Sequence, residues 1–193
     1  MKIGLYGGAF DPIHNAHMII AQFIKEELSL EKIIFIPSAL PPHKSVFAAA
    51  ERRLLMVQAA IASNPVFEYS EIEIEKGGTS YSVDTIAQLK EIYRLPRSCL
   101  FWIMGSDNFA DFSKWKDPDL ILELCHVVVF PRSTIDFHRS PVEYRKKVIY
   151  VSNAPLIDIS STLVRSLISD GRSISYLVPP AVEEVIKSSN LYR

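Results

Sequence analysis

The chain has 193 residues, of which 48% are hydrophobic and 22% charged, so it can bury a core of ordinary size without disulfide or metal staples. Its 21 basic and 22 acidic residues leave a formal net charge of -1, which offers no broad field for gripping nucleic acid or an anionic membrane. An anionic ligand must be held locally.

The start of the chain carries one lysine and a strand-like run broken by glycines, not the pattern of a signal peptide, and no apolar run approaches the roughly 18 residues of a membrane span. The two cysteines, Cys99 and Cys125, stand apart in apolar stretches. They read as buried thiols of a reducing, cytoplasmic compartment.

Taken in chain order, strand-like runs fall at Lys2–Tyr6, Lys32–Ile36, Phe67–Ile74, Leu100–Met104, His126–Phe130 and Lys147–Val151. Helical periodicity separates them. Ile20, Phe23, Ile24 and Leu28 recur at helical spacing behind Asn15, which the pattern makes an N-cap. Further helices are expected over Ala50–Ala62 and Val83–Tyr93. Strands alternating with helices predict a doubly wound, Rossmann-like α/β fold, a parallel sheet with helices on both faces. Ile159–Ile168 and Pro180–Ser188 both read as helices with no strand between them. They are expected to cap one edge of the sheet. With no repeat and no linker, residues 1–193 read as a single domain.

Two segments carry chemistry. The first is Gly7-Gly8-Ala9-Phe10-Asp11-Pro12-Ile13-His14-Asn15-Ala16-His17. A strand that breaks on glycines and enters a helix brings backbone N–H groups and a positive dipole end together, which suits a phosphate. His14 and His17, three apart, share a helix face and add side-chain donors. Such fixed donors can stabilise charge that moves in a transition state, which points to phosphoryl or nucleotidyl transfer. A zinc site would need a third ligand, and no cysteine or glutamate stands nearby.

The second segment is Ile159-Ser160-Ser161-Thr162-Leu163-Val164-Arg165, three hydroxyls at a helix start with an arginine one turn on. It reads as a second anion cradle, or alternatively as plain capping by Ser160 or Ser161 beside a solvated Arg165. Two cradles suit a triphosphate.

The first segment resembles the GxFDPxHxGH element, and the second the ISSTxVR element, of the nucleotidyltransferases related to class I aminoacyl-tRNA synthetases. Ala16 replaces the usual glycine between the histidines, and its methyl is expected to narrow the approach of an adenosine slightly. Further stretches resemble the bacterial nicotinate-nucleotide adenylyltransferases: Pro37–Lys44, Arg53–Met56, Gly78–Thr85, Phe101–Asp107 running on to Trp115, Tyr176–Pro179 and Leu191-Tyr192. The similarity spans essentially the whole chain.

That resemblance implies adenylyl transfer from ATP, with Mg2+, to nicotinate mononucleotide. It implies His14, His17 and Arg165 as catalytic contacts to the ATP phosphates. The ATP site would comprise Gly7, Gly8, Ala9, Phe10, His14, His17, Asp107, Ile159, Ser160, Ser161, Thr162 and Arg165. Lys44, Thr85, Trp115 and Arg132 would serve the mononucleotide.

Local chemistry fits these assignments. Lys44 follows a proline-stiffened loop and suits a phosphate, although a solvated lysine would look the same. The Thr85 hydroxyl, near a helix start, could receive a carboxylate, with Ser82 or Asp84 as simple caps. Trp115 offers a flat face to a pyridinium, or packs in the core. Asp107, after Gly105-Ser106, could meet ribose hydroxyls or magnesium, or cap a helix.

Three rivals share or contest the phosphate machinery: adenylation of nicotinamide mononucleotide, adenylation of phosphopantetheine, and a non-catalytic nucleotide sensor. A homo-oligomer is compatible with all of them. A tRNA synthetase fragment lacks its basic surface, and an oxidoreductase would need G-x-G-x-x-G, which the opening glycines do not form.

Overall fold

Parallel strands buried on both faces need nearly continuous apolar sequence, and the six apolar runs supply it. The computed structural model describes residues 1–42, 45–132 and 136–193. Its strands are β1 (Ile3–Gly8), β2 (Lys32–Pro37), β3 (Phe67–Tyr69), β4 (Leu100–Gly105), β5 (His126–Phe130) and β6 (Ile149–Tyr150). They form one sheet in the order β3-β2-β1-β4-β5-β6, every neighbouring pair parallel.

The chain winds outward from β1 in one direction and from β4 in the other, so the strand order reverses between them. The pairing there runs from Ile3↔Leu100 to Tyr6↔Ile103 and stops, while β1 stays paired with β2 as far as Gly8↔Pro37. The sheet therefore opens beyond Tyr6, at the carboxyl ends where such folds hold ligands.

The helices are α1 (Asn15–Glu27), α2 (Ala50–Ile61), α3 (Ile72–Lys76), α4 (Ser82–Tyr93), α5 (Ser106–Ala110), α6 (Pro118–Leu124), α7 (Asp136–Arg139), α8 (Val142–Arg145), α9 (Ser161–Ser169) and α10 (Pro180–Ser188). Tyr6, Phe35, Ile103 and Phe130 face one core with Ile24 of α1, Val57 of α2, Val164 of α9 and Val182 of α10. Leu5, Ile34, Trp102 and Val129 face the other with Ile86 of α4 and Ile121 of α6.

Four local expectations change. The third strand ends at Tyr69 and gives way to α3, because it pairs only with β2 at the sheet edge. Ile72 and Glu73 are then both buried, which a strand's alternation would not allow. The last strand shrinks to Ile149–Tyr150 at the other edge. The N-cap of α1 is His14, with extended φ of -144°, and Asn15 is the first helical residue. Finally, the C-terminal helices cover a face, not an edge: Val164, Leu167, Val182 and Ile186 join the core beside α1 and α2.

Candidate functional site

The opening in the sheet begins at Gly7. A Cβ there would lie 2.5 Å from the Trp102 ring of β4, so the close approach of backbone to indole admits only glycine. From Gly8 the chain turns through Phe10, in the left-handed region at φ 49°, and a cis Asp11-Pro12 bond into α1.

At that helix start the His14 and His17 rings stack 3.7 Å apart at 23°. Phe10 meets His17 edge-on at 5.1 Å, and Tyr6 at 5.9 Å. The His14 backbone N–H donates to His17 Nδ1 at 3.2 Å. A neutral imidazole that accepts through Nδ1 carries its proton on Nε2, so this bond sets the His17 tautomer. His14 is 1% exposed. Burial, and then the charge of Arg132, push its pKa down to about 3, so both the fold and its neighbours favour a neutral ring.

The segment around α9 closes on the same loop. Ser160 caps the helix by accepting from Leu163 N–H at 3.1 Å, as a plain cap would. Ser161 Oγ donates to the Pro12 carbonyl at 2.9 Å. Arg165 donates through Nη1 to the Asp11 carbonyl at 2.7 Å and through Nη2 to Thr162 Oγ1 at 3.2 Å. Asn15 adds two ties to the tail, from its side chain to the Tyr176 carbonyl at 2.7 Å and from its N–H to the Leu177 carbonyl at 2.8 Å. Ile159 packs against the core that holds Tyr6 and Phe10. Ala16 is 1% exposed, so its methyl packs inward and does not project into an open approach.

Three supports were not legible as site residues in the sequence. The buried Asp11 carboxylate accepts from Phe47 N–H at 2.6 Å, Ala48 N–H at 3.2 Å and the Tyr192 hydroxyl at 2.6 Å. Burial, then this carboxylate, raises the Tyr192 pKa. Arg53, fully buried, donates to the carbonyls of Ala48 at 3.1 Å, Ala9 at 2.8 Å and Ala39 at 2.8 Å. One planar fork thus ties the loop after β1 to both ends of the connection between β2 and α2, which a lysine ammonium could not do.

Beside the glycine turn lies a cleft of about 480 Å³. Gly7, Gly8, Ala9, Tyr81, Trp102 and Trp115 are among the residues that line it. Ser38 lines it as well, and the Trp102 indole N–H and Ser38 Oγ are buried without a partner among the described residues.

Thr85 is placed differently from the expectation. It is buried, and its hydroxyl donates to Glu73 Oε1 at 2.6 Å, while Ser80, Tyr81 and Ser82 line the cleft in front of it. Glu73, also buried, reaches the cleft; burial raises its pKa, opposed by hydrogen bonds from Thr85 and Ser80. Its sequence surroundings, acidic and apolar in alternation, gave no sign of this.

Asp107 is exposed in the first turn of α5, and Arg132 N–H donates to Ser106 Oγ at 2.9 Å. A Cβ on Gly105 would strike Asp107 Oδ1 and lie 2.7 Å from Arg132 Cγ. Asp107 and Arg132 are therefore neighbours over Gly105, and the Arg132 charge reaches His14 and Tyr6. Lys44 lies outside the described residues.

No group of His, Cys, Asp and Glu among the described residues could cage a metal ion, and none of the described helices is long and apolar enough to cross a membrane.

A family profile described as cytidylyltransferase-like matches residues 5–167. A probable nicotinate-nucleotide adenylyltransferase of Rubrobacter xylanophilus is 44% identical over 200 residues, covering all of this chain and 92% of the relative. One from Citrifermentans bemidjiense is 40% identical over 214 residues, covering 100% of this chain and 98% of the relative. The fold is similar to that of the Plasmodium falciparum nicotinic acid mononucleotide adenylyltransferase complexed with NaAD, with a TM-score of 0.79, 21% identity and coverage of 99% and 97% of the two chains. A fold built around the β1/β4 opening, the clasped histidine loop and full-length identity at this level agree, and the chain belongs to the cytidylyltransferase-like family, among the nicotinate-nucleotide adenylyltransferases.

Proposed function

We propose that the chain transfers the adenylyl group of ATP to nicotinate mononucleotide, yielding nicotinate adenine dinucleotide and pyrophosphate for the synthesis of NAD. The observation that carries this reading is the clasp itself: Ser161 and Arg165 hydrogen-bond to the Pro12 and Asp11 carbonyls, at the loop that delivers His14 and His17. Two phosphate cradles from opposite ends of the sequence are thereby joined beside a cleft able to take a second nucleotide.

In the reaction a phosphate oxygen of the mononucleotide attacks the α-phosphorus of ATP. The new P–O bond forms as the bond to the β-phosphate oxygen breaks, and pyrophosphate leaves with that electron pair. The attacking phosphate is already nucleophilic, so the protein supplies alignment and charge stabilisation, with no protein nucleophile and no strong base. His14, as a neutral ring, and His17 act as donors to the phosphates, Arg165 as a fixed cation, and the Gly8–Ala9 backbone as the floor of the polyphosphate site. Gly7, Phe10, Ile159, Ser160 and Thr162 shape that site, and Asp107 faces a ribose. Arg132 serves the mononucleotide.

Trp115 gives the pyridinium an aromatic face, an attraction of about 0.5–2 kcal/mol. Since Thr85 is engaged by Glu73, the nicotinate carboxylate is received by backbone N–H groups at the start of α4 instead. Magnesium accompanies ATP and screens its charge. Two free thiols suit a reducing cytoplasm, and residues 1–193 act as one unit.

The test is direct. Purified protein with ATP and magnesium is offered nicotinate mononucleotide, nicotinamide mononucleotide or phosphopantetheine in parallel, and both dinucleotide and pyrophosphate are measured. Fastest turnover with the nicotinate form is expected. Preference for phosphopantetheine would overturn the assignment, and tight ATP binding with no pyrophosphate from any acceptor would favour the sensor reading.

A further inference from the structure

Phe47 is 69% exposed, and its ring centroid lies 4.2 Å from the Arg165 guanidinium carbon. An isolated exposed phenylalanine needs no explanation. This one is held in place: its backbone N–H donates to Asp11 Oδ2 at 2.6 Å, while the Asp11 carbonyl accepts from Arg165 Nη1 at 2.7 Å. A single buried aspartate therefore fixes both members of the stack, one through its carboxylate and the other through its main chain. Thr162 Oγ1 takes Nη2 at 3.2 Å, so two hydrogen bonds orient the guanidinium plane and the ring covers one of its faces.

We infer that Phe47 is a positioning residue for adenylyl transfer, holding the Arg165 guanidinium ready for the polyphosphate. The inference rests on the reading that Arg165 contacts ATP. An arginine left mobile would have to be ordered when substrate binds, and pre-ordering a side chain of that length is worth a few-fold to about tenfold in affinity. The aromatic face also stabilises the cation directly, which an aliphatic side chain of similar size cannot do. No local pattern marks Phe47, which stands in a loop ahead of α2.

The test compares Phe47→Leu, Phe47→Tyr and Arg165→Lys, with unfolding temperature and circular dichroism as controls; the exposure of Phe47 makes its variants stable. Phe47→Leu should raise KM for ATP about three- to tenfold and leave KM for the mononucleotide unchanged. Phe47→Tyr should match wild type. In an Arg165→Lys background, Phe47→Leu should cost nothing further, because its partner is gone. Wild-type kinetics for Phe47→Leu beside a crippled Arg165→Lys would overturn the proposal and leave the function standing. Equal losses for Leu and Tyr, or additive losses in the double variant, would also overturn it. Wild-type kinetics for Arg165→Lys would instead remove the reading of Arg165 on which the proposal depends.

Discussion

Replacing His14 by asparagine should flatten the acid side of the stability curve. Asparagine is a good N-cap and does not titrate, so the helix keeps its start and loses only a buried imidazole. That imidazole has an ordinary pKa of 6.5 when unfolded, and burial followed by the Arg132 charge brings it down to about 3 in the folded chain. Between those values the unfolded state binds one proton more, so stability rises with pH, by about 1.4 kcal/mol per unit. The contribution is complete above the ordinary histidine range and is lost as pH falls through it. From about pH 7 to about pH 4.5 the loss through this one group comes to about 2.5 kcal/mol, a sizeable part of a typical 5–15 kcal/mol total. Urea unfolding of wild type and His14→Asn at both pH values, monitored by the fluorescence of Trp102 and Trp115, isolates it, because other groups titrate alike in both proteins. Parallel pH dependences would show that His14 is not held neutral by the fold.

His17→Ala should keep the circular dichroism spectrum and lower turnover by about 100- to 1000-fold, the usual cost of one donor to developing charge; a near-normal rate in a pyrophosphate-release assay would falsify that role. Tyr192→Phe removes one of three donors to the buried Asp11 carboxylate and should cost about 1.5–3 kcal/mol in urea unfolding, with an unchanged midpoint speaking against the bond. Glu73→Gln keeps an acceptor for Thr85 but cannot ionise. Burial raises the Glu73 pKa, so the wild type should lose stability relative to the variant as pH rises above the ordinary glutamate value of 4.5. Unfolding temperatures across that range measure this, and a relative gain for the wild type would mean that the carboxylate is held as a stabilised ion.

The sheet was readable because buried parallel strands have to be apolar on both faces, and the helices because amphipathic periods repeat over three turns. Edges were not: β3 and β6 each pair on one side only, and Glu73 of the helix beyond Tyr69 is bonded to Thr85, 12 residues away. The histidine loop and the serine-rich turn stood out because their chemistry is contiguous in sequence, and their capping and stacking are local. The groups that unite them are of another kind. Asp11 meets Phe47 across 36 residues and Tyr192 across 181, and Arg53 reaches Ala9 across 44. No period or spacing encodes such pairs, since each side chain taken alone is an ordinary loop aspartate, surface phenylalanine or helix arginine. A motif can show which atoms touch a phosphate; the accuracy with which they are held depends on buried polar partners that only the closed fold brings within about 3 Å. Variants of Asp11, Arg53 and Phe47 should consequently disturb catalysis through the geometry of His14, His17 and Arg165, while variants of those three act on the phosphates directly.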